Sequence, residues 1–148
     1  HMNNDLLLTK TVGMFDTCIL GEYNINTDEI IWVNGGHQPA IIRDEKGNYQ
    51  KFESKSPPMG VISQKNKSVY STNKMKLNGH RFYAFTDGLS ESETEQGEEI
   101  GIEGSIDIIE KNFNLDAKKQ LSDITKKVIK ASGDNNLSDD LTLISIGK

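Results

Sequence analysis

The 148 residues contain one cysteine, three prolines, one tryptophan and only two arginines. Each scarcity excludes something. A lone Cys18 permits no disulfide framework and no cysteine-based zinc site. The longest wholly apolar run, Ile30-Ile31-Trp32-Val33, is far too short to cross a bilayer. No segment combines a basic start, an apolar stretch and small residues as a secretory signal does. The lysines are scattered and the net charge is −5, which argues against a general nucleic-acid binder. There is no Gly-x-Ser-x-Gly elbow for a serine nucleophile. There is no phosphate-binding Walker loop either, since Gly101-Ile102-Glu103-Gly104 is too short and lacks the lysine.

What is present fits a single cytoplasmic domain spanning 3–148, large enough to bury a core. His1-Met2 resembles the remnant of a cleaved tag and is set aside. Residues Asn4–Lys10 read as the end of a helix. Strands are expected at Thr17–Ile25 and Glu29–Asn34, joined by the turn residues Asn26-Thr27-Asp28. Further strands follow at Ala40–Arg43 and Tyr49–Phe52, and together these four read as an antiparallel meander. Ser56-Pro57-Pro58-Met59-Gly60 is a loop, because proline has no backbone donor for a ladder. Val69–Leu77 alternates as a half-buried strand. Asn78-Gly79 then predicts a tight hairpin into Arg81–Thr86, whose Phe82, Tyr83, Ala84 and Phe85 look buried on both faces.

After residue 88 the pattern becomes helical. Glu91, Glu93, Glu95, Glu98 and Glu99 read as a solvated acidic loop. Helices are expected at Glu103–Phe113 and at Asp116–Ser132, the second capped by Asp116 and ended by Gly133. Asp134–Ser138 reads as a loop before a closing strand that includes Leu141, Leu143 and Ser145. The class is α+β: antiparallel β-sheets flanked by helices.

Two acidic positions carry the chemical interest. Asp87, in Thr86-Asp87-Gly88, leaves a buried strand, and its glycine lets a ligand or backbone approach. Asp139 and Asp140 stand side by side before the last strand, where neighbouring carboxylates repel unless a cation intervenes. If both sites lie at one sheet edge they could hold Mg2+ or Mn2+, which prefer oxygen ligands. The plain alternatives are a turn for Asp-Gly and a solvated loop or cap for Asp139-Asp140. His37, after two glycines, either fixes its loop or donates to a phosphate, the first being the commoner use. His80 reads as an exposed turn residue, and Cys18 as an inert thiol.

The order of these segments is more informative than any one of them. Trp32-Val33-Asn34-Gly35-Gly36-His37-Gln38-Pro39, Pro58-Met59-Gly60-Val61, Phe85-Thr86-Asp87-Gly88-Leu89-Ser90-Glu91, Gly97-Glu98-Glu99-Ile100-Gly101 and Asp139-Asp140-Leu141-Thr142-Leu143 run in the order of motifs in SpoIIE/RsbU-like serine phosphatases. The chain resembles that family, part of the PPM-type metal-dependent phosphatases, from Phe15 to Ile146. The resemblance implies paired antiparallel sheets flanked by helices. It implies Asp87 and Asp139 as metal ligands, Asp140, Gly88 and Thr86 around them, and two Mn2+ or Mg2+ ions per complete domain. It also implies direct hydrolysis of phosphoserine or phosphothreonine, on an anti-anti-sigma-like regulatory protein, and an upstream sensor or receiver domain.

Two departures stand out. The family's N-terminal Gly-Asp motif, which supplies a bridging carboxylate, has no counterpart before Phe15. The expectation is an N-terminally truncated domain with weak metal binding and impaired hydrolysis, with uncovered strands that favour a homodimer. The alternative is a pseudophosphatase that docks a regulatory partner without metal. The second departure is Gly35, which stands where the family usually has alanine.

Overall fold

A computed structural model describes residues 2–9, 14–63, 69–94, 96–113, 116–131 and 139–147. Its elements are α1 (Met2–Thr9), β1 (Cys18–Asn24), β2 (Glu29–Gly35), β3 (Ala40–Arg43), β4 (Tyr49–Phe52), β5 (Thr72–Lys76), β6 (Arg81–Phe85), α2 (Asp87–Ser90), α3 (Gly101–Lys111), α4 (Ala117–Ala131) and β7 (Leu143–Ile146). The strands form two sheets, one ordered β1-β2-β5 and one ordered β4-β3-β6-β7. The expected α+β class, sheets with antiparallel strands together with helices, is therefore present. The chain clusters into two compact units, residues 1–82 with 146–148, and residues 83–145.

In the first unit β1 and β2 pair antiparallel from Cys18↔Gly35 to Asn24↔Glu29, and β2 pairs with β5 from Glu29↔Lys76 to Val33↔Thr72. A salt bridge of 3.0 Å from Lys74 to Glu29 crosses the second pairing. β2 alternates: Ile30, Trp32 and Asn34 are buried. The Trp32 ring meets Phe52 and Phe82 edge to face, each at 5.3 Å, the arrangement its quadrupole favours. β3 pairs antiparallel with β4 and is buried along its whole length.

Asp28 organises the corner of this unit. Its φ of +55° is one that Asp tolerates better than most residues. Its carboxylate accepts from the Tyr23 hydroxyl at 2.7 Å and from the Asn78 amide at 2.9 Å, and its carbonyl accepts from the Leu77 amide at 2.8 Å. At the other end Asn3 holds α1 in place. Its side chain accepts from the Gly60 amide (2.9 Å) and the Tyr70 hydroxyl (2.8 Å) and donates to the Ile62 carbonyl (2.9 Å).

Three expectations need correction. The four-strand meander is broken, because β2 belongs to one sheet and β3 to the other. The turn at Asn78-Gly79 forms as expected, with φ of +47° and +87° and a 2.8 Å bond from the His80 amide to the Leu77 carbonyl. It does not close a hairpin, however, since β5 and β6 belong to different sheets. A strand with Phe82 to Phe85 all buried is stable only as an interior strand, and β6 is one. His80 is half-buried rather than exposed, and its Nδ1 is enclosed without a hydrogen-bond partner.

In the second unit α3 and α4 lie within two residues of their expected bounds. Asp116 caps α4, its carboxylate accepting from the Lys119 amide at 3.1 Å. Ile124 and Val128 of the expected stripe are buried, and so is Gln120, whose amide reaches the Tyr83 hydroxyl and the Ile109 carbonyl, each at 3.3 Å. Gly133 and Asp134–Ser138 lie outside the described residues, as do Glu95 and Lys10. Glu91, Glu93, Glu98 and Glu99 are exposed, but the segment is not shapeless: Glu93 bridges Glu99 and the Thr94 amide donates to the Glu98 carbonyl at 2.7 Å. Among the described residues no helix is long and apolar enough to cross a membrane.

Candidate functional site

The second unit joins the two acidic segments at the end of β6. Thr86 precedes α2 in the N-cap position, where a threonine hydroxyl ordinarily bonds the helix amides. Here it makes no such bond. It donates instead to the Asp140 carbonyl at 2.7 Å and accepts from the Thr142 amide at 2.8 Å. The Thr86 amide donates to the Thr142 carbonyl at 3.0 Å. One residue thus fastens Thr86-Asp87-Gly88 to Asp139–Thr142 by three hydrogen bonds.

Gly88 makes the approach possible. A Cβ on it would stand 2.6 Å from the Asp140 carbonyl oxygen and 3.1 Å from that of Asp139. No side chain fits there, so the glycine is required by contact rather than by backbone angle. The Gly88 carbonyl in turn accepts from the buried Ser92 hydroxyl at 2.6 Å.

Asp87 opens α2, where a carboxylate suits the positive end of a helix. It is half-buried and accepts from the Gly88 amide at 3.1 Å. Asp139 is exposed and accepts from the Asp140 amide at 2.7 Å, a local turn that fixes its side chain. Asp140 is exposed, and its carbonyl is the one taken by Thr86. The unit therefore offers carboxylate oxygens on two adjoining segments, the donor type that Mg2+ and Mn2+ select. Among the described residues no group of three or more His, Cys, Asp or Glu stands where it could hold a metal ion. The donors suit a hard cation.

His37 belongs to the first unit. Its Nδ1 lies 3.0 Å from the Thr17 hydroxyl, and its amide donates to Asn34 Oδ1 at 2.8 Å. Asn34 also donates to the Gln38 carbonyl at 2.8 Å, so a buried asparagine shapes the whole turn. Gly36, at φ +69°, leaves room for Pro58, whose Cγ would stand 2.5 Å from any Cβ there. At Gly35 an added Cβ would meet only ordinary contacts, 3.5 Å to Met59 and to Tyr70. The departure from alanine at this position is thus not imposed by space. Cys18 Sγ lies 3.2 Å from Met59 Sδ, and burial, with the nearby Asp16 charge, pushes the thiol above its ordinary range. It is not a poised nucleophile.

The organising roles of Thr86 and Gln120 rest on partners distant in sequence, whereas Asn34 acts within its own turn, on His37 and Gln38. Of the two distant cases only Thr86 carries a local signal, a threonine in a cap position before Asp-Gly.

Compared with known proteins, the chain matches the family of Stage II sporulation protein E (SpoIIE) over residues 1–147. It belongs to the SpoIIE family. Two characterised relatives are similar over nearly its whole length. Protein IcfG of Synechocystis is 25% identical over 150 residues, covering 99% of this chain and 23% of that protein. Phosphoserine phosphatase RsbU of Bacillus subtilis is 26% identical over 147 residues, covering 97% of this chain and 42% of that protein. The chain thus spans less than half of either relative. The solved structure of the RsbU and RsbW domains of Rv1364c from Mycobacterium tuberculosis shares the fold, with a TM-score of 0.72 at 19% identity over 97% of this chain and 38% of that one.

Proposed function

We propose that this chain is part of the catalytic domain of a metal-dependent protein serine/threonine phosphatase. Asp87 and Asp139 serve as ligands to divalent metal, Mn2+ or Mg2+. Thr86 and Gly88 hold the two ligand-bearing segments together, and Asp140 anchors the second of them through its carbonyl. The observation that carries this reading is the fastening of Asp87's segment to Asp139's by the Thr86 hydroxyl, with Gly88 packed on the Asp140 carbonyl. Bound divalent ions would supply an activated water and offset charge on a phosphoryl group. The chain's own residues fix where the carboxylates stand and keep them from retreating into solvent.

A complete binuclear site needs a further carboxylate beyond Asp87 and Asp139. This chain by itself is accordingly a weak metal binder and a poor hydrolase, and residues 3–148 form a partial phosphatase domain. The substrate class is a phosphorylated regulatory protein of the anti-anti-sigma kind, in the cytoplasm, with a sensor or receiver domain upstream. Family membership supports this, as do the phosphoserine phosphatase activity in the name of RsbU and the presence of RsbU and RsbW domains in Rv1364c. The second reading is a docking module that binds a regulatory partner without metal.

Calorimetric titration with Mn2+ separates the two. Saturable heat in the wild-type chain that disappears in both Asp87→Asn and Asp139→Asn supports the phosphatase reading. Absence of heat in all three moves the titration to a longer chain that carries the family's N-terminal Gly-Asp motif, and absence of heat there as well favours the docking module.

A further inference from the structure

Charge in the second unit is segregated. Between residues 83 and 145 the sequence has fourteen acidic residues and six basic ones, and five of the six basic residues, Lys118, Lys119, Lys126, Lys127 and Lys130, lie on α4. The helix buries Gln120, Ile124 and Val128 on one side. On the other side Lys119, Lys126 and Lys130 fall within about 40° of one another at the α-helical repeat, and all three are exposed. They form a ridge about 16 Å long along the axis. Asp123, half-buried, is the one acidic residue of α4 beside it.

The helix supports the ridge only in part: Lys130, in the last turn, suits the negative dipole end, and Asp123 lies four residues after Lys119 and three before Lys126. Lys118 and Lys119 occupy the first turn, which has no acidic residue and whose positive dipole end repels them. Lys126 and Lys130 are like charges four apart, a spacing that destabilises a helix. Lys127 has a structural use, donating to Asn112 Oδ1 at 3.1 Å. Among the described residues the three ridge lysines make no such bond. Lys119 in the first turn and the Lys126–Lys130 pair run against helix preference, a local inconsistency of the kind expected at a binding surface.

We propose that the Lys119–Lys126–Lys130 ridge docks an acidic, glutamate- or aspartate-rich segment of a partner protein. Charge complementarity selects that occupant. A lipid surface is disfavoured because the apolar side of α4 is buried within the unit and cannot insert. Nucleic acid is disfavoured because the ridge has no arginine fork, and the acidic remainder of the unit repels an extended polyanion. A short acidic segment needs only the ridge's own length of about 16 Å, which an extended polyanion exceeds. Such a surface acts on encounter rate and salt dependence more than on final affinity. This inference stands independently of the phosphatase reading.

The test is fluorescence anisotropy with labelled hexaglutamate, at about 20 mM and about 200 mM salt, between which screening changes most. Three proteins are compared: the wild type, a Lys119→Gln/Lys126→Gln/Lys130→Gln variant, and a Lys46→Gln/Lys55→Gln/Lys76→Gln variant with the same loss of charge elsewhere. Glutamine keeps helix propensity, and far-UV circular dichroism verifies α4. The expected result is low-salt binding that falls about tenfold in the ridge variant only and fades at high salt. Equal loss in both variants overturns the proposal, as does absence of binding in the wild type. Tighter ridge-dependent binding of a single-stranded DNA oligonucleotide or of phosphatidylserine-containing vesicles overturns it in favour of those partners.

Discussion

The hydroxyl of Thr86 donates to the carbonyl oxygen of Asp140 at 2.7 Å, across 54 positions of sequence. Thr86 Oγ1 accepts in turn from the Thr142 amide at 2.8 Å, so one side chain satisfies two backbone groups. Thr86→Val keeps the shape and removes both bonds. It is expected to lower stability by about 1–2 kcal/mol in urea unfolding, while Thr86→Ser restores most of the loss. A valine variant as stable as wild type would mean that the joint is held by other contacts.

Gly88→Ala places a methyl carbon against the Asp140 carbonyl, which is backbone and cannot swing aside. The two acidic segments must separate to accept it. A stability loss of about 1–3 kcal/mol is expected, together with weaker Mn2+ binding by calorimetry. Unchanged metal binding in a measurably destabilised variant would detach the glycine from the site.

Gly35→Ala is expected to act in the opposite direction. The added carbon meets Met59 and Tyr70 at 3.5 Å, an ordinary contact, and restricts the unfolded chain. Thermal unfolding should show a gain of about 0.5–1 kcal/mol. A loss would show that the turn around Asn34 needs the freedom of glycine.

These sites illustrate what could be read from the residues. β3 and β4 coincide with their expected spans, because strong apolar and turn signals bound them. The order of the motifs points to the segments around Asp87 and Asp139, and the structure joins those segments through Thr86. The assignment of β2 and β3, and of β5 and β6, to different sheets was not, since alternation tells a strand which face is buried and not which strand lies beside it. α2 is four residues long, and Thr86-Asp87-Gly88 looks locally like a turn. The enclosure of His80 Nδ1 depends on packing beyond its neighbours in sequence.

Alkaline stability provides a fourth expectation. The hydrogen bond from Tyr23 to Asp28 raises the Tyr23 pKa above its ordinary value of 10.0, followed by smaller effects of desolvation and the Asp28 charge. A raised folded pKa means that the contribution is complete below the unfolded value and is lost as pH climbs through the folded one. Wild-type stability should therefore decline above about pH 10, and Tyr23→Phe should flatten that decline. Parallel pH profiles for the two proteins would remove Tyr23 from the explanation.

Asp28 bears on how the chain assembles as well as on how it stands. Its carboxylate holds Tyr23, five residues away, and the Asn78 amide, 50 residues away. The first partner is a local hairpin contact, of the kind formed in microseconds, whereas the second closes a long loop whose entropy must be met first. The β1–β2 hairpin thus presents a ready-made acceptor that waits for the later corner to arrive. The same carboxylate records two moments of folding, an early one at Tyr23 and a late one at Asn78.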